Sequence, residues 1–440
     1  MKSIIYGPEN EPVWKKEEDG RVPRCGRNQV LVRVHAVGLN PVDAKGVIGD
    51  KLPHNWTTVQ SMARRCIVQS KVIGFDFAGV VEGTKIDHNH DNKNNNDDDD
   101  NNKNGAFVTG DRVYGILPPS RYGGTLQERI VVPVDQLTRI PESMSFNQAA
   151  ALPLVGITAV QCLRGAGWGD DDDDHHHHHH HHNNNIDDNN NDDNKNKKLL
   201  VIGASGGTGH VAVQVGHCLQ PQAQIVAVCS ERNADFVRNL VTSGNDNKQE
   251  REQQQVRRPH LTILDYHDDD FEQQLQAAGP YDVVMDCVTS GDPRDQSMLD
   301  YRKLLLSDDR FMKPRGQYRC LGGFVPDWFR ASLERITGAQ SVWSNPSAKL
   351  FWIQMHGAAP ILQQLAGWIS QGTLHGAHVA KTVPFTPEGV QRGFEALLGR
   401  RMVGKVVVEF FSSNDKIAQT EPDTVQSSKS TDQGNNKKQS

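Results

Sequence analysis

Residues 199–214 read LLVIGASGGTGHVAVQ: an apolar run, a glycine-rich turn and an apolar segment with helical spacing. Glycines between a buried strand and a helix let the backbone turn tightly and approach a pyrophosphate, whose charge is met by N–H groups at the helix N-terminus. The turn residues assigned to this candidate dinucleotide site are Gly203, Ser205, Gly206, Gly207, Thr208 and Gly209. A glycine pattern alone is weak evidence, and a purely structural turn is the alternative.

The sequence after this turn alternates strand-like and helix-like runs. The strand-like runs LLVIG, IVAVCS and LTILDY begin at residues 199, 225 and 261, and each is followed by a run with helical spacing. A further strand-like run, YDVVMDCV, begins at residue 281. Such alternation predicts a doubly wound parallel sheet. This context favours a dinucleotide site over a structural turn.

The sequence before the turn has a different period. Residues 29–40 alternate apolar and polar positions, as a half-buried strand does, and three more short strands are predicted at 72–83, 110–117 and 126–133. Residues 147–166 have helical spacing, and 382–410 read as a helix and a final strand. The chain is therefore predicted to be an α/β protein with a β-rich part and a separate nucleotide-binding part.

Polar, low-complexity tracts interrupt this pattern at 86–104, 170–198 and about 243–258, and a similar tail covers 412–440. They cannot bury enough apolar surface to offset the entropy of ordering, so we interpret them as disordered insertions. The tract 170–198 contains the run His175–His182, for which we expect adventitious binding of nickel or zinc rather than a physiological metal site.

Charge and cysteine usage exclude some function classes. The net charge is −6, and the first two tracts together are more acidic than that, so the remaining chain is weakly basic and no nucleic-acid binding is expected. The seven cysteines show no CxxC pair, which favours reduced thiols. No transmembrane segment and no leader peptide are predicted. The expected location is the cytoplasm, and peripheral association with an organelle envelope stays open.

The residues after the second predicted strand bear on which dinucleotide binds. An acidic residue there selects NAD by accepting a hydrogen bond from the ribose 2′-OH, whereas a nearby arginine accommodates a 2′-phosphate. The strand ends in Ser230, followed by Glu231 and Arg232. Ser230 and Arg232 favour NADPH, while Glu231 leaves NAD as the alternative.

Eight motifs in order resemble those of the medium-chain dehydrogenase/reductases. They are VHAVGLNPVDAKGVIG, VIGFDFAGVV, GDRVYG, GGTLQERIVV, AALPLVGITAVQ, GASGGTGHVAVQ, LDY and GKVVVEF. The chain is most similar to the zinc-free quinone oxidoreductase branch, which includes zeta-crystallin. Within that branch it resembles the chloroplast-envelope quinone oxidoreductase homologues and the reticulon-interacting mitochondrial reductases. The resemblance implies a GroES-like catalytic domain at 1–152, a Rossmann NADPH-binding domain at 153–345, a return to the catalytic domain at 346–411, and the tail.

Zinc-dependent alcohol dehydrogenases of the same superfamily provide a direct comparison. They have a cysteine where this chain has Asn40 or Pro41, and Gly-His-Glu where it has Gly74-Phe75-Asp76. Phenylalanine cannot ligate zinc, and the four-cysteine structural lobe is missing. We therefore expect no metal.

The resemblance also implies further site residues. Asn40 and Asp43 of the NPVD turn lie beside the nicotinamide, although an Asx turn that caps the next segment is an equal alternative. Tyr122 is a candidate proton donor or a packing aromatic. The remaining cofactor-side candidates are Thr158, Tyr266, His356 and Lys405, the last with a surface lysine as its alternative.

Without a metal, the expected reaction is hydride transfer from NADPH to an acceptor that is already electrophilic. Quinones and α,β-unsaturated carbonyls, such as enones and 2-alkenals, fit that requirement, because their conjugation spreads the charge that hydride transfer creates. A non-catalytic NADPH-binding sensor or scaffold and a zinc alcohol dehydrogenase are the alternatives. A homodimer is a further expectation.

Overall fold

A computed structural model describes residues 1–7, 11–15, 22–43, 72–85, 106–118, 124–169, 197–241, 260–289, 300–322, 348–399 and 401–410. Residues Met1–Phe410 form one compact unit. Tyr122, residues 170–196, the other low-complexity tracts and the tail fall outside the described residues, so the predictions made for them stay predictions. The insertion predicted at 170–198 ends earlier, because Lys198 begins a strand and its ammonium donates to the carbonyls of Ala278 and Gly279. Within the described residues, no helix has the length and apolar character needed to cross a bilayer.

Strands dominate the N-terminal part, as its period-2 pattern predicts. They are β1 (Ile4–Tyr6), β2 (Pro12–Trp14), β3 (Gln29–Leu39), β4 (Asp76–Lys85), β5 (Arg112–Ile116), β6 (Arg129–Pro133) and β7 (Leu137–Arg139). Along β3 the burial alternates until the strand's end, where both faces are covered. Of the predicted strand 72–83, only the part from Asp76 onward is regular, because Gly74 has a φ of +101°.

Two helices, rather than one, follow this sheet. They are α1 (Phe146–Ala151) and α2 (Pro153–Arg164), separated at Leu152. Pro153 stands at the first position of α2, where its missing N–H breaks no intrahelical bond. The sequence predicted a single helical segment over 147–166, and the proline divides it.

Alternating strands and helices make up the nucleotide-binding part. They are β8 (Lys198–Ile202), α3 (Gly209–Leu219), β9 (Gln224–Cys229), α4 (Ala234–Asn239), β10 (His260–Asp265), α5 (Phe271–Ala278), β11 (Tyr281–Asp286), α6 (Tyr301–Leu306), β12 (Met312–Cys320) and β13 (Ala348–Leu350). All the described pairings in this sheet are parallel, in the order β10-β9-β8-β11-β12-β13. The predicted doubly wound parallel sheet is confirmed.

The strand order locates the ligand-binding edge. The chain moves outward from β8 to β10 and then returns to β11 on the other side of β8, so the order reverses between β8 and β11. In open α/β sheets, ligands bind at the carboxyl ends of the strands at such a switch point. The glycine turn follows β8, which places it at that edge.

The chain then returns to the first sheet. The remaining elements are α7 (Ala359–Ser370), β14 (Val379–Pro384), α8 (Pro387–Leu398) and β15 (Lys405–Glu409). Strand β15 pairs antiparallel with β3 and parallel with β14, so the terminal strand lies within the N-terminal sheet. This return matches the topology that the resemblance implies, while the domain boundaries themselves stay a prediction.

Candidate nucleotide-binding and active site

The glycine turn is built for close approach by a ligand. Gly203 has a φ of +77°, and a Cβ there would lie 2.5 Å from Cγ2 of Val288, beyond the end of β11. A Cβ on Gly209 would lie 2.1 Å from the carbonyl oxygen of Gly203, so this glycine allows the helix to pack on the strand. At Gly206 the only neighbour within 4 Å among the described residues would be that same oxygen, at 3.3 Å. Gly206 therefore faces open space, where a pyrophosphate fits.

The N-terminus of α3 completes the cradle. Thr208 precedes the helix without a side-chain capping bond. The first turn of a helix has N–H groups without intrahelical partners, and with the helix dipole they favour an anion. The described residues thus fit a dinucleotide, and its contacts with Gly206, Gly207 and Thr208 stay a prediction.

The segment after β9 lies beside this turn. The side-chain amide of Asn233 donates to Oγ of Ser205 over 3.0 Å, which joins the two loops. Ser230 is buried, and Glu231 and Arg232 are exposed on a 3₁₀ turn. The backbone N–H of Glu231 donates to Asp265 at the end of β10, and Tyr266 follows with 42% of its surface exposed. Ser230, Arg232 and Tyr266 therefore share one edge of the sheet with the glycine turn.

Thr158 and His356 belong to a different part of the structure, helix α2 and the segment before α7. Leu154, Thr158 and Gln161 are spaced along one face of α2, where Thr158 is half-buried. The amide of Gln161 exchanges two hydrogen bonds of 2.9 Å with the backbone of Gln354. His356 is exposed two residues further on. The hydrogen bonds of its segment lead to α2 rather than to the glycine turn.

A group of buried polar side chains, here called the Asp76 cluster, consists of Asn40, Asp43, Asp76 and Lys405. Each is at most 2% exposed. The ammonium of Lys405 donates to Oδ1 of Asn40 over 2.5 Å and lies 3.4 Å from Oδ2 of Asp76. The amide of Asn40 donates to the same carboxylate oxygen over 3.0 Å, and the N–H of Leu154 donates to the other over 2.8 Å. The cluster thus connects the N-terminal sheet, the start of α2 and the terminal strand.

Asn40 and Asp43 form a local turn through their own hydrogen bonds, while their position beside the nicotinamide stays a prediction. Oδ2 of Asp43 accepts from the N–H of Asn40 over 2.8 Å, and the N–H of Asp43 donates to the carbonyl of Asn40 over 3.0 Å. These bonds form a local turn. The Asn40 side chain, however, points away from it to Asp76 and Lys405. The turn therefore serves to aim Asn40 into the cluster.

Burial raises the pKa of both carboxyls in the cluster. For Asp43 it reaches about 7, with a smaller upward contribution from the charge of Asp76. Burial also raises the pKa of Asp76, and the charge of Lys405 and the hydrogen bond from Asn40 oppose this effect. Oδ1 of Asp43 is buried and has no hydrogen-bond partner among the described residues. The cluster can therefore hold a proton near neutral pH.

Lys405 connects the glycine turn with the Asp76 cluster. Its side chain passes the glycine turn, since a Cβ on Gly207 would lie 3.4 Å from Cδ of Lys405. The N–H of Gly404 donates to the carbonyl of Ser205 over 3.1 Å. Lys405 is thus a buried residue at the turn and not a surface lysine.

Sequence reasoning missed Asp76 and His210 as candidate site residues. Asp76 is a charge inside the apolar run VIGFDFAGVV, and His210 follows the last glycine of the turn inside an apolar helix. In each case a polar residue within a stretch that should be buried is a signal that could have identified it.

These features define a protein with a parallel, Rossmann-like sheet and a second, β-rich sheet, and the comparisons with known proteins agree with this architecture. Residues 26–142 match the family model of the alcohol dehydrogenase GroES-like domain, and 260–408 match that of the zinc-binding dehydrogenases. Between them these models take up more than half of the chain. The protein belongs to the medium-chain dehydrogenase/reductases.

Individual relatives are distant. Human mitochondrial NAD(P)H oxidoreductase RTN4IP1 is 27% identical over 267 residues, which cover 59% of this chain and 52% of that protein. The chain therefore matches only about half the length of that relative. The trans-enoyl reductase pgmF of Aspergillus terreus is 25% identical over 394 residues, 87% of each chain. The structure of the quinone oxidoreductase from Coxiella burnetii superposes with a TM-score of 0.58 at 20% identity, covering 93% of this chain and 99% of that one.

Proposed function

We propose that the protein is an NADPH-dependent oxidoreductase that reduces quinones or α,β-unsaturated carbonyls without a metal. The observation that carries the proposal is the junction of a dinucleotide cradle with the Asp76 cluster through Lys405. The oxidoreductase class is supported by the names of two relatives, an NAD(P)H oxidoreductase and a trans-enoyl reductase. Cofactor preference and acceptor are our inferences from this chain's residues.

The side chains at the zinc position of related enzymes do not fit that metal. Catalytic zinc is held by thiolate, imidazole or carboxylate ligands. Here the corresponding residues are Asn40 or Pro41, Phe75 and Asp76, and the Lys405 ammonium lies against the oxygens of Asn40 and Asp76. A second cation beside this ammonium is electrostatically unfavourable. We therefore propose chemistry without zinc, although the matched family model carries the zinc-binding description.

The chain's own residues would bind and orient the cofactor and stabilise the charge that develops during the reaction. Bound NADPH supplies a hydride. The glycine turn and α3 hold its phosphates, Ser230 and Arg232 the 2′-phosphate, and Tyr266 the adenosine side. The Lys405 ammonium, kept out of water, stabilises negative charge that develops on the acceptor. Thr158 and His356 are proposed to line the cleft, and Tyr122 stays the candidate proton donor.

The test is a panel of acceptors with purified protein. NADPH oxidation should be observed with quinones, 2-alkenals or alkenones, and ethanol with NADP⁺ should give no turnover. A metal-free enzyme lacks the Lewis acid that stabilises an alkoxide, a contribution of several kcal/mol in zinc enzymes. Tight NADPH binding without reduction of any acceptor would instead support a sensor or scaffold.

Treatment with a chelator tests directly whether the reaction needs a metal. Prior treatment with EDTA should leave the rate of NADPH oxidation unchanged, and so should deletion of His175–His182, which should abolish only the retention of nickel. Recovery of a lost activity by added zinc would overturn the zinc-free assignment. The cytoplasmic location and the homodimer stay predictions.

A further inference from the structure

His210, the residue that follows the last glycine of the turn, bridges two backbone segments. It is fully buried, its Nδ1 lies 2.7 Å from the carbonyl oxygen of Gly206, and its Nε2 lies 2.9 Å from the N–H of His378. A backbone N–H can only donate, so Nε2 is the acceptor and Nδ1 carries the proton. The ring is therefore neutral, and it donates to the glycine turn while accepting from residue 378.

The segment held by this bridge leads to the Asp76 cluster. The carbonyl of His378 accepts from the N–H of Lys405 over 2.8 Å. A continuous path of hydrogen bonds thus runs from Gly206 through His210 and His378 to Lys405. Gln214, one turn further along α3, fastens the same segment by bonds to Gly376 and His375 of 3.1 and 2.8 Å.

A buried histidine is more often a core residue with satisfied hydrogen bonds than a functional one. Two observations indicate a functional role for His210. Both of its partners are backbone groups of functional segments, the glycine turn and the approach to β14. Moreover, the glycines at the turn bring no side chains of their own that could hold it in place. The bridge therefore restrains a turn whose glycines give its backbone high conformational freedom.

We propose that His210 is a positioning residue that holds the glycine turn against the strand carrying Lys405 and thereby sets the affinity for the dinucleotide. This proposal rests on the proposed function, because it assumes that the turn binds a nucleotide. The charged and titratable groups facing the ring are His378, from the segment before β14, and Lys405, from β15; Phe236 of α4 adds a neutral ring. Burial lowers the pKa of His210 to about 4, so the neutral bridge is retained at physiological pH.

The experiment compares nucleotide binding and turnover in four variants of the full chain. His210→Phe keeps a ring but removes both hydrogen bonds, and His210→Gln keeps a donor and an acceptor. His210→Asn, which is too short to reach both partners, is a second variant in case the Phe protein does not fold. His217→Phe is the matched control, because His217 lies half-buried on the same helix away from the turn.

The expected result separates affinity from chemistry. His210→Phe and His210→Asn should raise the Kd and the KM for NADPH by about tenfold or more, since the carbonyl of Gly206 and the N–H of His378 lose their buried partner, while kcat changes little. His210→Gln should recover most of the affinity, and His217→Phe should bind like the wild type. If folded His210→Phe or His210→Asn binds NADPH with the Kd of the wild type, the role of His210 is overturned and the proposed function still stands. A wild-type protein that binds neither NADPH nor NADH overturns the proposed function as well.

Discussion

The glycine turn and the Asp76 cluster meet at Lys405 but are built in opposite ways. The turn is made of backbone, with side chains kept small so that a ligand can approach it. The cluster is made of charged and amide side chains, all buried, and Asn40, Asp76 and Lys405 hydrogen-bond to one another across three separated segments of the chain. A ligand can approach the turn because large side chains are absent there, whereas the buried charges of the cluster stabilise one another. We therefore expect substitutions in the turn to change ligand binding and substitutions in the cluster to change the stability of the fold.

The largest effect is expected at Gly206. A valine there places a Cβ in the open space assigned to the pyrophosphate, so Gly206→Val should eliminate measurable NADPH binding while the protein stays folded. Gly367→Val in α7 is the control, because a Cβ at that position meets nothing within 4 Å. Fluorescence titration with NADPH and circular dichroism measure the two properties. Normal NADPH affinity in Gly206→Val would remove the turn from the site.

The Asp76 cluster should respond by losing stability. Lys405→Met leaves Asp76 buried without its cation, and breaking a buried ion pair in this way costs about 3–5 kcal/mol. The free energy of unfolding in urea should fall by that amount, and the additional change Asp76→Asn should restore part of it. Lys381→Met, on the exposed side of β14, should have little effect. An unchanged stability of Lys405→Met would contradict the burial of a charge pair.

The two regions should also show opposite pH dependence. Burial lowers the pKa of His210 from 6.5 to about 4, so the unfolded chain binds more protons and stability is lost as the pH falls from 6.5 through 4. Burial raises the pKa of Asp43 from 3.8 to about 7, so its contribution is present below pH 3.8 and is lost as the pH rises through 7. Each titration changes the free energy of unfolding by roughly 3–4 kcal/mol over the whole interval between the two pKa values.

Variants at these two positions separate the opposing contributions. Relative to the wild type, Asp43→Asn should lose stability as the pH is lowered from 7 to 4, and His210→Gln should lose it as the pH is raised over the same interval. Urea unfolding at several pH values gives both difference profiles. Two flat difference profiles would show that neither group titrates in this way.

The smallest effect is expected at the rim of the nucleotide site. Arg232→Ala should weaken NADPH binding by about 1.5–3 kcal/mol, the contribution of a charge-assisted phosphate contact, and should leave NADH binding nearly unchanged. Arg238→Ala, which removes an exposed arginine paired with Asp235, is the control. Equal losses for NADPH and NADH in Arg232→Ala would sink the 2′-phosphate assignment and favour selection of NAD through Glu231.

The sequence by itself determined the glycine turn, the doubly wound sheet around it and the β-rich part, because strand and helix periods and glycine positions are local properties. The positions of Asn40, Asp43 and Lys405 were also found in the sequence, through motifs. What only the tertiary structure decided is that Lys405 is buried between the turn and Asp76, 329 positions away in the chain, and that His210 reaches His378. The physical reason is that the partners of a buried charge or ring are chosen by packing between distant segments, and no local pattern records which segments will meet.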